Sequence, residues 1–195
     1  NSTTKAFGVI DADHHGAARL QALQPENIFS MSMAEPENLL LDENFLELLA
    51  EQLLFDKVIV QQIKSDIIEQ LKSELELQIS NYVSAKINYY FKESHVSKGN
   101  TLALVNENFT KFSNEIKIQE WYDSRKLELE KIIDEKDYIK VLSVFNNKGL
   151  KAIANRHFKI TDFTERGIKM LQFQSNTHSL LQNYFPEGIT NKNGL

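Results

Sequence analysis

Ala6-Phe7-Gly8-Val9-Ile10-Asp11-Ala12-Asp13 begins as an apolar run and stops on two carboxylates separated by one alanine. That is the profile of a buried strand ending in a polar turn. Downstream, His15-Gly16-Ala17-Ala18-Arg19-Leu20-Gln21-Ala22-Leu23 reads as a short helix halted near Pro25. Asn27-Ile28-Phe29-Ser30-Met31-Ser32-Met33 alternates in character as a second strand does, and Pro36 closes it. Strand, helix and strand in this order form a βαβ unit, whose two strands pair in parallel.

The whole chain has the means to bury a core around that unit. Its 195 residues are 42% hydrophobic and 25% charged, which excludes wholesale disorder and suits one ordinary domain or two small ones. Lys and Arg number 22 against 27 Asp and Glu, for a net charge of −5. An acidic balance argues against broad coating of nucleic acid and leaves room for a local basic patch. Cysteine is absent, so neither a disulfide framework nor a thiolate metal site can form. No apolar run approaches the roughly 18 residues that a membrane span needs. The opening residues lack the basic flank and apolar core of a secretory signal, so the expected compartment is cytoplasmic, with no membrane partner. The chain starts Asn1-Ser2-Thr3-Thr4 without Met and enters a strand almost at once. It is therefore expected to be a piece of a larger protein, or one whose N-terminal part has been removed.

From Glu37 onward the pattern is helical, in keeping with only 7 Gly and 3 Pro. Asp42 is a candidate N-cap for a helix carrying Phe45, Leu46, Leu48, Leu49 and Leu53. Val60, Ile63, Ile67, Leu71, Leu75, Ile79 and Tyr82 then recur at three- and four-residue spacing, continuing through Ile87, Tyr90 and Phe91. This predicts one long helix around 56–93, on the order of 50 Å at 1.5 Å per residue. It either folds back as a hairpin or serves dimerisation and partner docking. Shorter helices are predicted over 102–118, 119–134, 138–145, 148–157, 163–173 and 180–185, with a polar tail at 190–195. The fold class is α/β in the α+β sense, mostly helical, with a domain boundary near residue 42.

The acidic strand ends carry the sharpest chemical signal. Ligands collect at the carboxyl ends of parallel strands, and Asp11 and Asp13 can share a hard divalent cation there. The second strand leads to Glu35-Pro36-Glu37, at the same edge of a parallel pair. Against this stands a plain alternative, in which Asp11 caps the following helix and Asp13 is solvated. Asp13-His14-His15 is similar to the triplet of the manganese phosphoesterases named for it, but no second aspartate motif follows. Haloacid-dehalogenase phosphatases also place Asp-x-Asp after a strand, normally followed by Gly-Thr or Gly-Val, where His14-His15 stands here.

Taken together, residues 6–13, Glu26-Asn27-Ile28-Phe29 and Glu37-Asn38-Leu39-Leu40-Leu41 resemble the Toprim-like nuclease domains of the OLD-type and PARIS anti-phage defence effectors. The likeness continues at Val144-Phe145-Asn146-Asn147-Lys148-Gly149-Leu150 and Tyr184-Phe185-Pro186, with Asn147 where the family pattern has Gly. It implies that residues 1–42 are the C-terminal part of a Toprim-like α/β domain, a partial parallel sheet. Residues 43–195 then form a helical domain. It further implies phosphodiester cleavage of RNA (tRNA) or DNA, with Mg²⁺ (or Mn²⁺) held by Asp11, Asp13 and Glu37 as catalytic and metal residues. The implied partners are an ABC-type ATPase and a second copy in a homodimer. The glutamate that such nucleases carry on an earlier strand has no counterpart before Asp11, so this piece alone is expected to cleave nothing.

Phosphate contact needs positive charge. The densest basic segment holds Lys148, Lys151, Arg156, His157 and Lys159, with Arg166 and Lys169 beyond. Lys148, Lys151 and Arg156 are the candidate nucleic-acid contacts; the alternative is a solvated surface, since Lys148, Lys151 and Lys159 do not all share one helical face. A non-catalytic helical interaction domain, docking on an ATPase or pairing with itself, is the other functional reading.

Overall fold

The computed structural model describes residues 8–10 and 17–185. Asp11, Asp13, His14, His15 and the tail at 190–195 lie outside the described residues. Among those described, the chain is mostly helical with one two-stranded parallel sheet, the expected α+β class. Strand β1 (Gly8–Ile10) pairs with β2 (Ile28–Ser30) in the register Gly8↔Ile28, Val9↔Phe29 and Ile10↔Ser30, with helix α1 (Ala17–Leu23) between them in sequence. The βαβ reading of the opening is thus correct in element order and in strand direction.

The chain forms two compact units, described separately. One contains the described residues up to Ser73 and from Ile132 onward, the other Glu74–Lys131. Asp42, where the sequence suggests a boundary, lies within the first unit.

In the first unit, Met31–Met33 leaves the sheet, although its alternation reads as strand. Its apolar side chains are instead buried in the helical core: Met31, Met33 and Ala34 are covered, as are Leu40 and Leu41 further on. A 3₁₀ turn (Pro36–Leu41) follows, with Pro at its start, where a missing N–H costs nothing. Asp42 then caps α2 (Glu43–Gln52) by accepting from the Phe45 N–H at 3.0 Å, as its sequence position predicts. Helix α3 (Val58–Ser73) buries Val60, Ile63, Ile67, Ile68 and Leu71 along one stripe. It packs against α2, α7 (Tyr138–Val144) and α8 (Lys151–Phe158), and α8 meets α9 (Phe163–Phe173). Phe45, Phe145, Phe158 and Phe163 are the largest side chains wholly enclosed. Gly167 of α9 lies against the 3₁₀ turn so closely that a Cβ there would sit 2.9 Å from both Leu40 methyls.

The second unit contains α4 (Leu75–Glu93), α5 (Leu102–Asn114) and most of α6 (Ile118–Glu135). It buries Ile79, Val83, Phe112 and Leu129, and clusters Tyr90, Phe91 and Phe112 with ring centroids 4.9–6.3 Å apart. Lys86 lies over Trp121 at 4.6 Å and Arg125 over Tyr82 at 4.8 Å, so two cations roof its aromatic side.

The stretch expected as one helix around 56–93 is therefore two, interrupted at Glu74 (φ −99°, ψ 9°). The apolar spacing runs on through Leu71, Leu75 and Ile79, which is why periodicity alone hides the interruption. Ser73 Oγ donates to the Gln70 carbonyl at 2.8 Å, a side-chain bond of the kind that competes with the helical ladder. Near the end of the chain, α10 (Ser175–Leu181) and a 3₁₀ turn (Gln182–Tyr184) start earlier than the helix expected at 180–185. The Thr177 hydroxyl anchors that start, donating to the Gln174 carbonyl at 2.6 Å. No described helix is long and apolar enough to cross a membrane.

One buried side chain ties the first unit together. Asn38 Nδ2 donates to the Leu142 carbonyl at 3.0 Å and to the Phe145 carbonyl at 3.3 Å, at the end of α7 where helical partners run out. Replacing it by leucine, Asn38→Leu, removes both bonds and leaves the Leu142 carbonyl with the Ala34 N–H and the Phe145 carbonyl with the Asn147 N–H. The expected loss is about 1–3 kcal/mol, read as a lower urea midpoint with an unchanged m-value. A midpoint equal to that of the wild type would mean the bonds contribute nothing.

Candidate functional site

The sheet's carboxyl edge is fixed by backbone bonding. Because β1 and β2 run in parallel and in register, both chains leave the sheet on the same side, and the Met31 N–H donates to the Ile10 carbonyl at 2.9 Å. Asp11 is the next residue after Ile10 in sequence. On the β2 side the acidic residues are Glu35 and Glu37, which differ sharply in surroundings.

Glu35 has extended backbone and turns its carboxylate inward, with its side chain only 5% exposed. Lys148 Nζ stands 3.8 Å from Glu35 Oε2, with its own side chain 75% exposed. A buried carboxylate needs such compensation, whereas the lysine end of the pair reaches solvent. Glu37, two residues on, sits half-exposed on the first turn of the 3₁₀ helix and has no ion pair among the described residues. The two glutamates of Glu35-Pro36-Glu37 thus divide between a core anchor and an available ligand.

Lys148 owes its position to its neighbours. Asn147 Oδ1 accepts the Gly149 N–H at 2.7 Å, closing an Asx turn around the lysine. A Cβ on Gly149 would come within 2.9 Å of that same oxygen. Asn147 therefore shapes the turn that displays Lys148.

The other two candidate cations divide as well. Lys151 opens α8, exposed and with no ion pair among the described residues. Arg156 Nη2 donates to Asp66 Oδ2 of α3 at 2.7 Å, and His157 Nε2 meets the same oxygen at 2.7 Å. Hence Lys148 joins the acidic rim, Lys151 is free for an anion and Arg156 is engaged in fastening α8 to α3. Asp66 escapes sequence reading because it occupies an ordinary polar position in the α3 pattern, and nothing local announces its partners 90 residues away.

Two tyrosines complete the neighbourhood. Tyr138 donates to the Leu41 carbonyl at 2.7 Å, and Tyr184 donates to Asp42 Oδ2. Desolvation pushes both phenols above their ordinary range, followed for Tyr138 by the Asp42 charge and for Tyr184 by its hydrogen bond to Asp42. No three His, Asp or Glu side chains gather to hold a metal ion among the described residues, a set that excludes Asp11, Asp13, His14 and His15.

Compared with known proteins, the chain matches no family model, no curated protein and no solved structure.

The Asp66 junction yields a pH test. The His157 hydrogen bond holds the Asp66 carboxyl below its ordinary value; burial opposes it, and the Arg156 hydrogen bond lowers it further. A carboxylate depressed by folding adds stability that is complete above its unfolded pKa and disappears as pH falls through the folded one. Asp66→Asn should therefore lower the urea midpoint at about pH 7, and the gap to wild type should close below about pH 4, the ordinary carboxylate range. A gap that persists unchanged into acid would show that the ion pairs are not its source.

Proposed function

We propose that this chain carries part of a metal-dependent nuclease site at the carboxyl edge of the β1–β2 pair, of the Toprim-like kind its sequence resembles. The observation that supports it most is the ion pair of Glu35 with Lys148. It brings an exposed cation from the α7–α8 loop to the segment that leaves the parallel sheet. An acidic rim with a phosphate-binding cation beside it is what phosphodiester hydrolysis requires.

In this reading Asp11, Asp13 and Glu37 hold Mg²⁺ (or Mn²⁺). Carboxylate oxygens are the donors such ions take, and Glu37 is half-exposed with no cation on it among the described residues. A metal bound there would polarise the phosphoryl oxygen and neutralise charge on the leaving oxygen. Lys148 and Lys151 meet the backbone phosphates of RNA or DNA; Arg156, already on Asp66, follows only if that bond opens. In the reaction a water oxygen bonds to phosphorus and gives up one proton to solvent, the bond to the leaving sugar oxygen breaks, and that oxygen takes up a proton from solvent.

The test starts with the ion, because binding can be read without turnover. Substoichiometric Mn²⁺ added to the isotopically labelled protein should selectively broaden the amide signals of Ile10 and Glu37 by paramagnetic relaxation. Asp11→Ala and Glu37→Gln should each abolish the effect. In the polypeptide as its gene encodes it, Mg²⁺-dependent cleavage of tRNA or DNA should vanish with Asp11→Ala. Broadening that ignores both substitutions would sink the reading.

A second reading, an interaction module, draws on α5. Leu102, Val105 and Phe109 share one face of that helix and are exposed, while Phe112 on the same face turns into the aromatic cluster. We assign this face to a second copy of the chain or to an ABC-type ATPase. Phe109→Glu should convert any dimer to monomer by light scattering without altering helicity. A dimer that survives the substitution assigns the contact elsewhere.

A further inference from the structure

We infer that α9 and the end of α2 form a cleft that binds one nucleotide of a single-stranded nucleic acid, stacking its base on Phe173 and holding its phosphate with Lys169 and Arg166. The cleft measures about 280 Å³, enough for a nucleotide-sized group that remains partly in solvent. It belongs wholly to the first compact unit. The inference rests on the nucleic-acid half of the function proposed above and not on cleavage.

The chemistry of the walls selects the ligand. Arg166, Lys169, Met170 and Phe173 stand at spacings of three, four and seven residues, on one face of α9. Met170 is buried and makes an apolar floor. Phe173 ends the helix 83% exposed, an aromatic face turned to water at the edge of a cleft lined by cations. Arg166 is aimed through its Nε, which donates to Asp162 Oδ1 at 2.7 Å, so its outer nitrogens have no bond among the described residues. The same bond keeps the Asp162 carboxyl below its ordinary range. Lys169 has no ion pair among the described residues. Two cations against one carboxylate leave the lining net positive in a chain whose overall charge is −5.

Gln52 and Gln174 add amide groups, which donate and accept and so can meet the edge of any base. An exposed aromatic beside cations is how proteins bind single strands: every base has a π-face to stack, and every nucleotide brings one phosphate. A duplex keeps its bases stacked on one another and cannot use Phe173. An inorganic anion would use the cations and leave the ring and amides idle.

The experiment measures fluorescence anisotropy of labelled twelve-nucleotide oligouridylate, its DNA counterpart and a duplex of matched length. The full chain is used in EDTA, so that cleavage does not contribute. Phe173→Ala should weaken single-strand binding on the order of tenfold, whereas Phe173→Trp should retain it. Lys169→Ala should reduce the slope of log K against log salt by about 0.7. Phe173 is exposed, and circular dichroism should show both of its variants folded like wild type. The duplex should bind more weakly and ignore Phe173→Ala.

No single-strand binding by wild type, or equal binding by Phe173→Ala, overturns the inference. So does a loss confined to Lys169→Ala, which would mark plain anion attraction. Mg²⁺-dependent cleavage, assayed separately, keeps the two proposals apart. Cleavage with a silent Phe173 sinks the cleft alone, and stacking without cleavage sinks the nuclease alone.

Discussion

The end of α7 is where the first unit is decided. A helix seven residues long cannot satisfy its own last carbonyls, and it has too few turns to hold together by itself. The chain that leaves β2 supplies what is missing. The Ala34 N–H and the Asn38 amide both reach the Leu142 carbonyl, and Asn38 also reaches Phe145. At the other end of the same helix, the Tyr138 hydroxyl returns a bond to the Leu41 carbonyl. Residues 34–41 and α7 therefore complete each other's hydrogen bonding across about a hundred positions of sequence. The acidic segment beyond the sheet is held by this exchange, not by the short sheet itself, and Glu35 can be buried because the segment around it is fixed.

How much of this is legible in the sequence follows from range. Asp42 reads correctly as an N-cap because capping is a three-residue affair. The α9 boundaries, Phe163–Phe173, follow from local spacing alone. The parallel β1–β2 pair is recoverable because a short helix between two apolar runs allows few other arrangements. What escapes is non-local. Met31 and Met33 alternate with serines as a strand would, yet the carbonyl of Leu142, far along the chain, draws Ala34 off the sheet edge. The interruption at Glu74 is invisible to periodicity, since the stripe continues in register through it. Arg156 looks like a phosphate ligand by type, but Asp66 claims it first.

The charged groups obey a common rule of exposure. Where a carboxylate is buried, as in Glu35 and Asp42, a group from a distant element helps to answer it: Lys148 stands beside the first, and Tyr184 donates to the second, which also caps α2. Where it is half-exposed, as in Asp66, it collects two basic side chains, Arg156 and His157, and fastens helices. Such exposed pairs add modest stability at most. Their larger effect is to fix which cations remain available. Lys151 on α8 and Lys169 on α9 are among the cations left without ion pairs among the described residues.

Gly167 gives the first unit an unexpected mechanical property. Gly167 brings the α9 backbone directly against the Leu40 side chain, so a methyl group there would force the Leu40 methyls to shift. Dense contacts of this sort pass displacement on instead of absorbing it. A pull on the far end of α9 would accordingly be felt at Leu40, and through Leu40 by Asn38 and its grip on α7, like a lever whose pivot is the one residue without a side chain.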